Sequence, residues 1–288
     1  MYVTVGDVPL HVRDTGTGAP VVLLHGWPDD GELWRHQVPA LVAAGYRVIV
    51  PDLRGFGASG KPADVDAYSA PCLVGDVVAV LDALAVPRAH LVGHDWGAAV
   101  GWMVAALAGG RVASLTALSV GHPAAFRTAG WLQREKSWYM LLFQFPGVAE
   151  RWLSDDDFRN LREWSRHPDI EPALRRLSDP AALTASLGPY RAILPPEGLL
   201  SPPPELPPVT ASTMGVWSAG DLALVEAGMT GSSRYVAGPW RYERIEDAGH
   251  WIPLDVPDRL NALLLDFLPS ADAGPYGPPE TVADRTPA

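Results

Sequence analysis

The sequence predicts an α/β protein with a mostly parallel central sheet, flanked by helices and interrupted by an inserted helical segment. Between Pro20 and Gly121, apolar strand-like runs alternate with helical runs, which is typical of parallel sheets with right-handed crossovers. From about Pro123 to Pro208 the pattern is helical and rich in aromatic residues, without a convincing strand. The alternation then resumes, which indicates one core domain interrupted by a helical lid.

The first part of the core, predicted at residues 1–122, begins with a hairpin. The runs "YVTV" and "LHVRD" alternate in polarity and are separated by Gly6-Asp7. The continuous apolar run "PVVLLHG" is typical of a strand buried on both faces. The next predicted elements are a helix around Glu32–Ala44, the strand Arg47–Val50, a helix at about Leu73–Leu84, the strand "HLVGH", a helix from Trp96, and the strand Leu115–Gly121.

The remaining predicted segments are a helical cap at residues 123–208, a second core part at 209–270, and a tail at 271–288. The cap ends in "PPEGLLSPPPELPP", whose seven prolines predict a stiff linker. The second core part contains the strand-like "VTASTMGVW", the segment "RYERIEDAGH" and a last helix near Asp258–Leu268. For the tail, "ADAGPYGPPETVADRTPA", the composition predicts no structure of its own.

Composition and charge exclude several classes of protein. With 48% hydrophobic and 19% charged residues, the 288-residue chain has a globular composition. Its formal charge of −11 argues against a nucleic-acid or anionic-membrane partner, because both require a basic surface. The least polar long segment, Trp96–Gly110, is shorter than the roughly 20 residues of a spanning helix. No secretory signal is visible, so we expect a cytoplasmic protein, monomeric or homodimeric.

A candidate nucleophile stands in Gly93-His94-Asp95-Trp96-Gly97, between a predicted strand and a predicted helix. Strand, Gly-x-nucleophile-x-Gly and helix form the nucleophile elbow, in which the glycines permit a sharp turn. The amino-terminal N–H groups of the following helix stabilise negative charge at its apex. Asp95 is therefore the predicted nucleophile, and the alternative is that it only caps the helix.

Two later residues complete a predicted catalytic triad. Asp221 follows the apolar run "MGVW", and His250 lies in the loop "DAGHW". The order nucleophile, acid, histidine is that of the α/β-hydrolases, and all three loops belong at the carboxyl edge of the sheet. The N–H groups of Trp27 and Trp96 are predicted to form an oxyanion hole beside the nucleophile.

An aspartate at this position predicts a particular chemistry. A carboxylate with a pKa of about 3.9 is ionised at neutral pH, and it can displace a leaving group at saturated carbon to form an alkyl-enzyme ester. Water then cleaves the ester at the Asp95 carbonyl, with His250 as general base and Asp221 orienting it. The substrate is thereby limited chiefly to an epoxide or an alkyl halide.

On these residues the chain resembles the α/β-hydrolase-fold epoxide hydrolases, with the haloalkane dehalogenases as close relatives. The shared pattern is His25-Gly26-Trp27-Pro28, Gly93–Gly97, Asp221 and His250. The resemblance covers nearly the whole chain except the tail. It implies the α/β-hydrolase fold with an inserted helical cap, a cis Trp27–Pro28 bond, and a small apolar epoxide and water as substrates.

The resemblance also assigns two tyrosines of the cap. Epoxide hydrolases of this family use two lid tyrosines as proton donors, which match Tyr139 in "WYMLLFQFPGVAE" and Tyr190 in "GPYRAI". A phenol with a pKa of about 10 can donate to an alkoxide while it is neutral at pH 7. Tyr139, Tyr190, Trp27 and Trp96 are thus predicted to contact the substrate. Amphipathic packing is the alternative role for the tyrosines.

Other activities remain as alternatives. Halide displacement would use the same triad, although haloalkane dehalogenases often carry asparagine where this chain has Trp27. A non-catalytic small-molecule-binding protein on this scaffold is a more distant alternative.

No cofactor is expected, because "KPADVDAYSAP" rather than a helix follows the G-x-G-x-x-G run Gly55–Gly60. No metal is expected either, because the histidines lack a ligand spacing; His25 and His94 are expected to form hydrogen bonds around the site.

Overall fold

The computed structural model describes residues 1–203 and 205–269 of the chain. Within them, eight strands form one sheet in the order β1-β2-β4-β3-β5-β6-β7-β8. The strands are β1 Tyr2–Val5, β2 Val8–Thr15, β3 Pro20–Leu24, β4 Arg47–Pro51, β5 Ala89–His94, β6 Val112–Leu118, β7 Ser212–Ser218 and β8 Trp240–Ile245. Only β2 pairs antiparallel with its neighbours β1 and β4 in this part of the chain; the other pairs are parallel. The predicted α/β-hydrolase fold class is confirmed.

Helices cover both faces of the sheet and account for the continuous apolar strands. The helices are α1 Gln37–Ala43, α2 Ala70–Ala83, α3 Trp96–Leu107, α4 Pro123–Arg127, α5 Trp131–Lys136, α6 Trp138–Phe143, α7 Val148–Ser165, α8 Glu171–Leu177, α9 Pro180–Ser186, α10 Gly188–Ile193, α11 Glu226–Thr230, α12 Ile252–Asp255 and α13 Pro257–Phe267. One apolar cluster contains Leu81 and Trp102 of α2 and α3. A second contains Leu41 and Leu260 of α1 and α13. Every residue of β3 and β5 is buried between these layers.

The predicted helix at Glu32–Ala44 is wrong as one element. The structure has a short 3-10 turn at Gly31–Trp34 and then α1 from Gln37. Pro39 explains the division, because proline has no N–H and its ring clashes with the carbonyl four residues earlier in a helix interior. Starting α1 at Gln37 places Pro39 in the first turn, where no intrahelical N–H bond is needed.

Two predicted strands are displaced along the chain. The strand predicted at Leu115–Gly121 is Val112–Leu118, because Ser119 adopts a left-handed φ of 68° that ends it. In "VTASTMGVW" the strand begins only at Ser212. The short helices α11 and α12 were not predicted, since four or five residues carry too little periodicity.

Helices α4 to α10 lie between β6 and β7, where the sequence predicts the cap. The left-handed backbone of Asp156, Asp157 and Phe158 interrupts α7. The exact domain boundaries stay a prediction, and the predicted tail at 271–288 lies outside the described residues. Among the helices that the structure describes, none is both long and apolar enough to span a membrane.

Candidate active site

Asp95 stands at the sharp corner between β5 and α3, with a left-handed φ of 52°. A non-glycine residue in this conformation costs of order 1–3 kcal/mol, which the surrounding structure must hold in place. The backbone around Asp95 is tightly packed. An added Cβ at Gly97 would collide with the Leu24 carbonyl, and an added Cβ at Gly26 would collide with the Asp95 carboxylate. Glycine at both positions therefore permits the close approach of the two loops.

The Asp95 side chain does not cap its own helix. No capping hydrogen bond joins it to α3, Trp96–Leu107, so the capping alternative is wrong. Instead, its Oδ1 atom accepts the N–H of Trp27 at 2.8 Å. The Trp27–Pro28 peptide bond is cis, as the resemblance implies. Trp96 follows Asp95 as the first residue of α3, and its part in an oxyanion hole stays a prediction.

His250 lies between two carboxylates. Its Nδ1 atom is 2.9 Å from Oδ2 of Asp221, and its Nε2 atom is 3.7 Å from Oδ2 of Asp95. Asp221 is fully buried, and its Oδ1 atom accepts the N–H groups of Ala223 and Leu224 at 2.8 and 2.9 Å. These bonds fix the carboxylate, so Asp221 can orient the imidazole. The structure thus brings together the three residues that the sequence predicts for the triad.

The two carboxylates determine the charge of His250. Burial alone would lower the pKa of this imidazole, but Asp221 and Asp95 outweigh burial and raise the pKa to about 10. Burial would likewise raise the pKa of Asp221, and the His250 charge and hydrogen bond reverse that shift and lower it. In the free protein at neutral pH, His250 is therefore an imidazolium between two carboxylates.

Two polar side chains anchor the backbone of the His250 loop. The carbonyl of His250 faces His94 Nε2 at 2.9 Å and accepts the Ser119 hydroxyl at 3.0 Å. Burial, followed by the charge of His250, lowers the pKa of His94 to about 4, so His94 is neutral and its Nε2–H donates. His25 binds the opposite loop through Leu53, whose N–H donates to Nε2 at 2.9 Å. Sequence reasoning found both histidines but missed Ser119, which no motif marks.

The cap brings Tyr139 of α6 and Tyr190 of α10 together over the nucleophile. Their ring centroids are 6.1 Å apart, and both side chains are almost fully buried. Burial and the nearby Asp95 charge raise the pKa of both phenols well above their usual range. Tyr190 also packs edge-on against Trp96 at 5.0 Å and Trp27 at 6.3 Å. Both tyrosines therefore remain protonated and able to donate.

Two cavities meet at Asp95. The larger has a volume of about 300 Å³, and both tyrosines line it together with mostly apolar side chains. The smaller has about 20 Å³ and is lined by Asp95 and His250, with Trp27 and Trp251 beside them. About 10–15 Å³ is enough for one water molecule. Asp95 thus lines both an apolar cavity and a water-sized one.

A polar contact between cap and core adjoins the smaller cavity. Both carboxylate oxygens of Asp29 lie 3.2 Å from Nε2 of His167, and Oδ2 accepts the Trp251 indole N–H at 3.1 Å. Burial alone would raise the pKa of Asp29, but the hydrogen bond and charge of His167 outweigh it and lower the pKa. No local sequence pattern marks this contact, because 138 residues separate the two side chains.

Within residues 1–203 and 205–269, no group of three or more His, Cys, Asp or Glu side chains is arranged to hold a metal ion. The charged and phenolic side chains that line the larger cavity are those of Asp95, Arg127, Tyr139 and Tyr190. This arrangement brings one carboxylate and two phenols to the same cavity.

Comparisons with known proteins agree with this fold. A family model described as the alpha/beta hydrolase fold matches residues 19–168. Epoxide hydrolase A of Mycobacterium tuberculosis is 36% identical to the chain, covering 92% of it and 96% of the relative. A solved epoxide hydrolase from metagenomes of hot environments has a TM-score of 0.83 at 31% identity, covering 93% and 98% of the two chains. Epoxide hydrolase A of Mycobacterium thermoresistibile has a TM-score of 0.76 at 30% identity, covering 93% and 97%. The chain belongs to the epoxide hydrolases of the α/β-hydrolase fold.

Proposed function

We propose that this chain converts an apolar epoxide and water into a vicinal diol through a covalent ester on Asp95. The observation that carries the proposal is that Asp95 lines both cavities. Asp95 and the two phenols line the apolar cavity, and the water-sized cavity is lined by the same three residues together with His250. Ring opening and ester hydrolysis can therefore both proceed at one carboxylate.

Ring opening uses the cap tyrosines. Oδ1 of Asp95 accepts the Trp27 N–H, which leaves Oδ2 to attack an epoxide carbon. The carbon–oxygen bond breaks, and the departing oxygen takes a proton from Tyr139 or Tyr190 as it becomes a hydroxyl. Because the pKa of both phenols is raised, each phenol carries this proton at neutral pH. The alternative packing role would not require both tyrosines to line the same cavity as Asp95.

Ester hydrolysis uses His250. When Asp95 becomes a neutral ester, one of the two charges that raise the pKa of His250 disappears, and the imidazole can lose its proton to solvent. Neutral His250 then removes a proton from water as the oxygen attacks Cγ of Asp95, and the developing oxyanion on Oδ1 faces the Trp27 N–H. Collapse releases the diol, because the departing alkoxide takes this proton from His250. The new Asp95 carboxylic acid then passes its proton to His250, and solvent returns a proton to the tyrosine that donated in the first step.

A single turnover in ¹⁸O-labelled water with excess protein tests the covalent step. Because water attacks Cγ of Asp95, we expect the label in the peptide that contains Asp95 and an unlabelled diol. Direct attack of water on the epoxide predicts the reverse, and this result would refute the proposal. The Asp95→Asn variant serves as control, since it should give neither diol nor label. A protein that only binds small molecules would give no diol at all.

Halide displacement by the same triad is the competing activity. A halide leaves as a stable anion and needs no acid, whereas the alkoxide of an opened epoxide does. Two buried phenols beside Asp95 favour the epoxide. Turnover of bromoalkanes faster than that of epoxides of equal size would reverse this assignment, and bromide release measures it directly.

A further inference from the structure

We infer that the substrate carries an extended hydrocarbon chain of about a dozen carbons, which lies in a channel along α3. The inference rests on the proposed function, because it concerns the part of the same cavity that extends beyond Asp95. Four residues that line the cavity would then determine the accepted chain length, namely Ala99, Met103, Leu107 and Leu206.

One face of α3 forms the inner wall of this channel. The cavity is lined by Trp96, Ala99, Met103 and Leu107, which lie at intervals of three or four residues and so share a helix face. At 1.5 Å per residue, the eleven steps from Trp96 to Leu107 span about 16 Å. The side chain of Leu107 is 53% exposed. The channel therefore runs from the nucleophile to the surface at the end of α3.

The linker from the cap to β7 forms part of the outer wall. Pro202 and Leu206 of this linker line the cavity together with Leu194. At the cap end, the Arg127 guanidinium donates to the carbonyls of Gly198 and Ser201, the latter at 3.0 Å. These hydrogen bonds hold the linker at the cap end of the channel.

The lining predicts which chain the channel accepts. Among the described residues around the cavity, only Asp95 and Arg127 carry a formal charge, and Arg127 already donates to two carbonyls. Beyond Trp96 the inner wall is Ala99, Met103 and Leu107. A polar or anionic group there would lose its hydration without a partner, whereas hydrocarbon gains from burial.

The channel length sets the chain length. An extended polypeptide advances about 3.5 Å over three backbone bonds, so a zigzag chain covers about 1.2 Å per bond. A channel of about 16 Å thus accommodates roughly a dozen carbons. Each methylene removed from water is worth up to about a fourfold gain in binding. We therefore expect kcat/KM to rise with chain length and to level off near that number.

The experiment uses unbranched terminal epoxides from 1,2-epoxybutane to 1,2-epoxyhexadecane. The measured quantity is the ratio of kcat/KM for 1,2-epoxydodecane to that for 1,2-epoxybutane within each variant, so partial loss of folded protein cancels. Ala99→Phe narrows the channel next to the nucleophile and should lower this ratio at least tenfold. Leu107→Trp, at an exposed position that tolerates substitution, should lower the ratio and shorten the length at which it levels off.

Leu265→Trp is the matched control, since Leu265 is 40% exposed on α13 and does not line the cavity. Its ratio should equal that of the unchanged protein. If kcat/KM of the unchanged protein does not rise with chain length, the inference is overturned. It is also overturned if Leu107→Trp and Leu265→Trp give the same ratio. Faster turnover of an epoxide with a terminal carboxylate would also overturn it. Failure of the proposed function would give a different result from failure of this inference. In that case no epoxide of any length would lead to ¹⁸O in the peptide that contains Asp95.

Discussion

Nε2 of His250 lies 3.7 Å from Oδ2 of Asp95, while Nδ1 of the same ring lies 2.9 Å from Asp221. This relationship couples the charge of Asp95, the proposed nucleophile, to the protonation of His250, the proposed base. Asp221 keeps its charge throughout the proposed cycle, whereas Asp95 loses its charge on alkylation. The histidine is therefore held as a cation before ester formation and can become a base after it.

The Asp95→Asn variant is expected to show this coupling as a lower pKa of His250. Burial already favours neutral imidazole, and the substitution removes one of the two carboxylates that raise the pKa to about 10. Titration of the imidazole signals by NMR measures the change. His122, whose pKa burial lowers to about 4, should keep its value. An unchanged His250 titration would contradict the coupling.

The His250→Gln variant is expected to form the ester but hydrolyse it about 10²- to 10⁴-fold more slowly, because general base catalysis is lost. Mass spectrometry of the intact protein after mixing with epoxide should show added mass equal to the substrate, located at Asp95. Asp95→Asn should show none. Rapid hydrolysis without His250 would assign the base to another residue.

Tyr139→Phe and Tyr190→Phe are each expected to slow ring opening, by about 10²-fold or more for the double variant. Phenylalanine keeps the ring contacts, so the loss reports the hydroxyls. Pre-steady-state formation of the ester isolates this step. Tyr242→Phe is the control, because its hydroxyl binds Glu226 at 2.8 Å outside the cavity. A double variant that opens epoxides at the unchanged rate would favour the packing role.

The Asp29→Asn variant is expected to lower the free energy of unfolding by about 1–3 kcal/mol at neutral pH, as for a buried hydrogen bond to a charged group. The pKa of Asp29 is lowered in the folded protein, so its contribution is present above the ordinary carboxyl pKa and is lost as the pH falls through the folded one. The difference between the two proteins should therefore shrink in acid.

Thermal unfolding followed across the acid and neutral range measures this difference. Asp169→Asn is the matched control, because Asp169 also joins cap to core through Arg35 at 2.9 Å but is 44% exposed. An exposed pair contributes about 0–1 kcal/mol. Equal effects of Asp29→Asn and Asp169→Asn at neutral pH would show that the buried contact adds nothing beyond a surface pair.

Much of this protein could be predicted from local sequence. The corner at Asp95 was predictable because two glycines, a strand and a helix are adjacent in the chain. The order Asp95, Asp221, His250 placed the triad because carboxyl ends of parallel strands share one edge. Tyr139 and Tyr190 were identified only by family resemblance, since a single tyrosine in an amphipathic helix has no distinguishing pattern.

The sequence by itself determined the alternation of strands and helices, the elbow and the helical insertion, because each depends on residues close together in the chain. The tertiary structure alone decided how the cap lies on the core. The contact of His167 with Asp29 and the channel between α3 and the linker follow from that placement. The anchoring of His250 by Ser119 follows from the order of the sheet, in which β6 and β8 flank β7. They join residues far apart in the chain, and residue type and local periodicity carry no information about such distances.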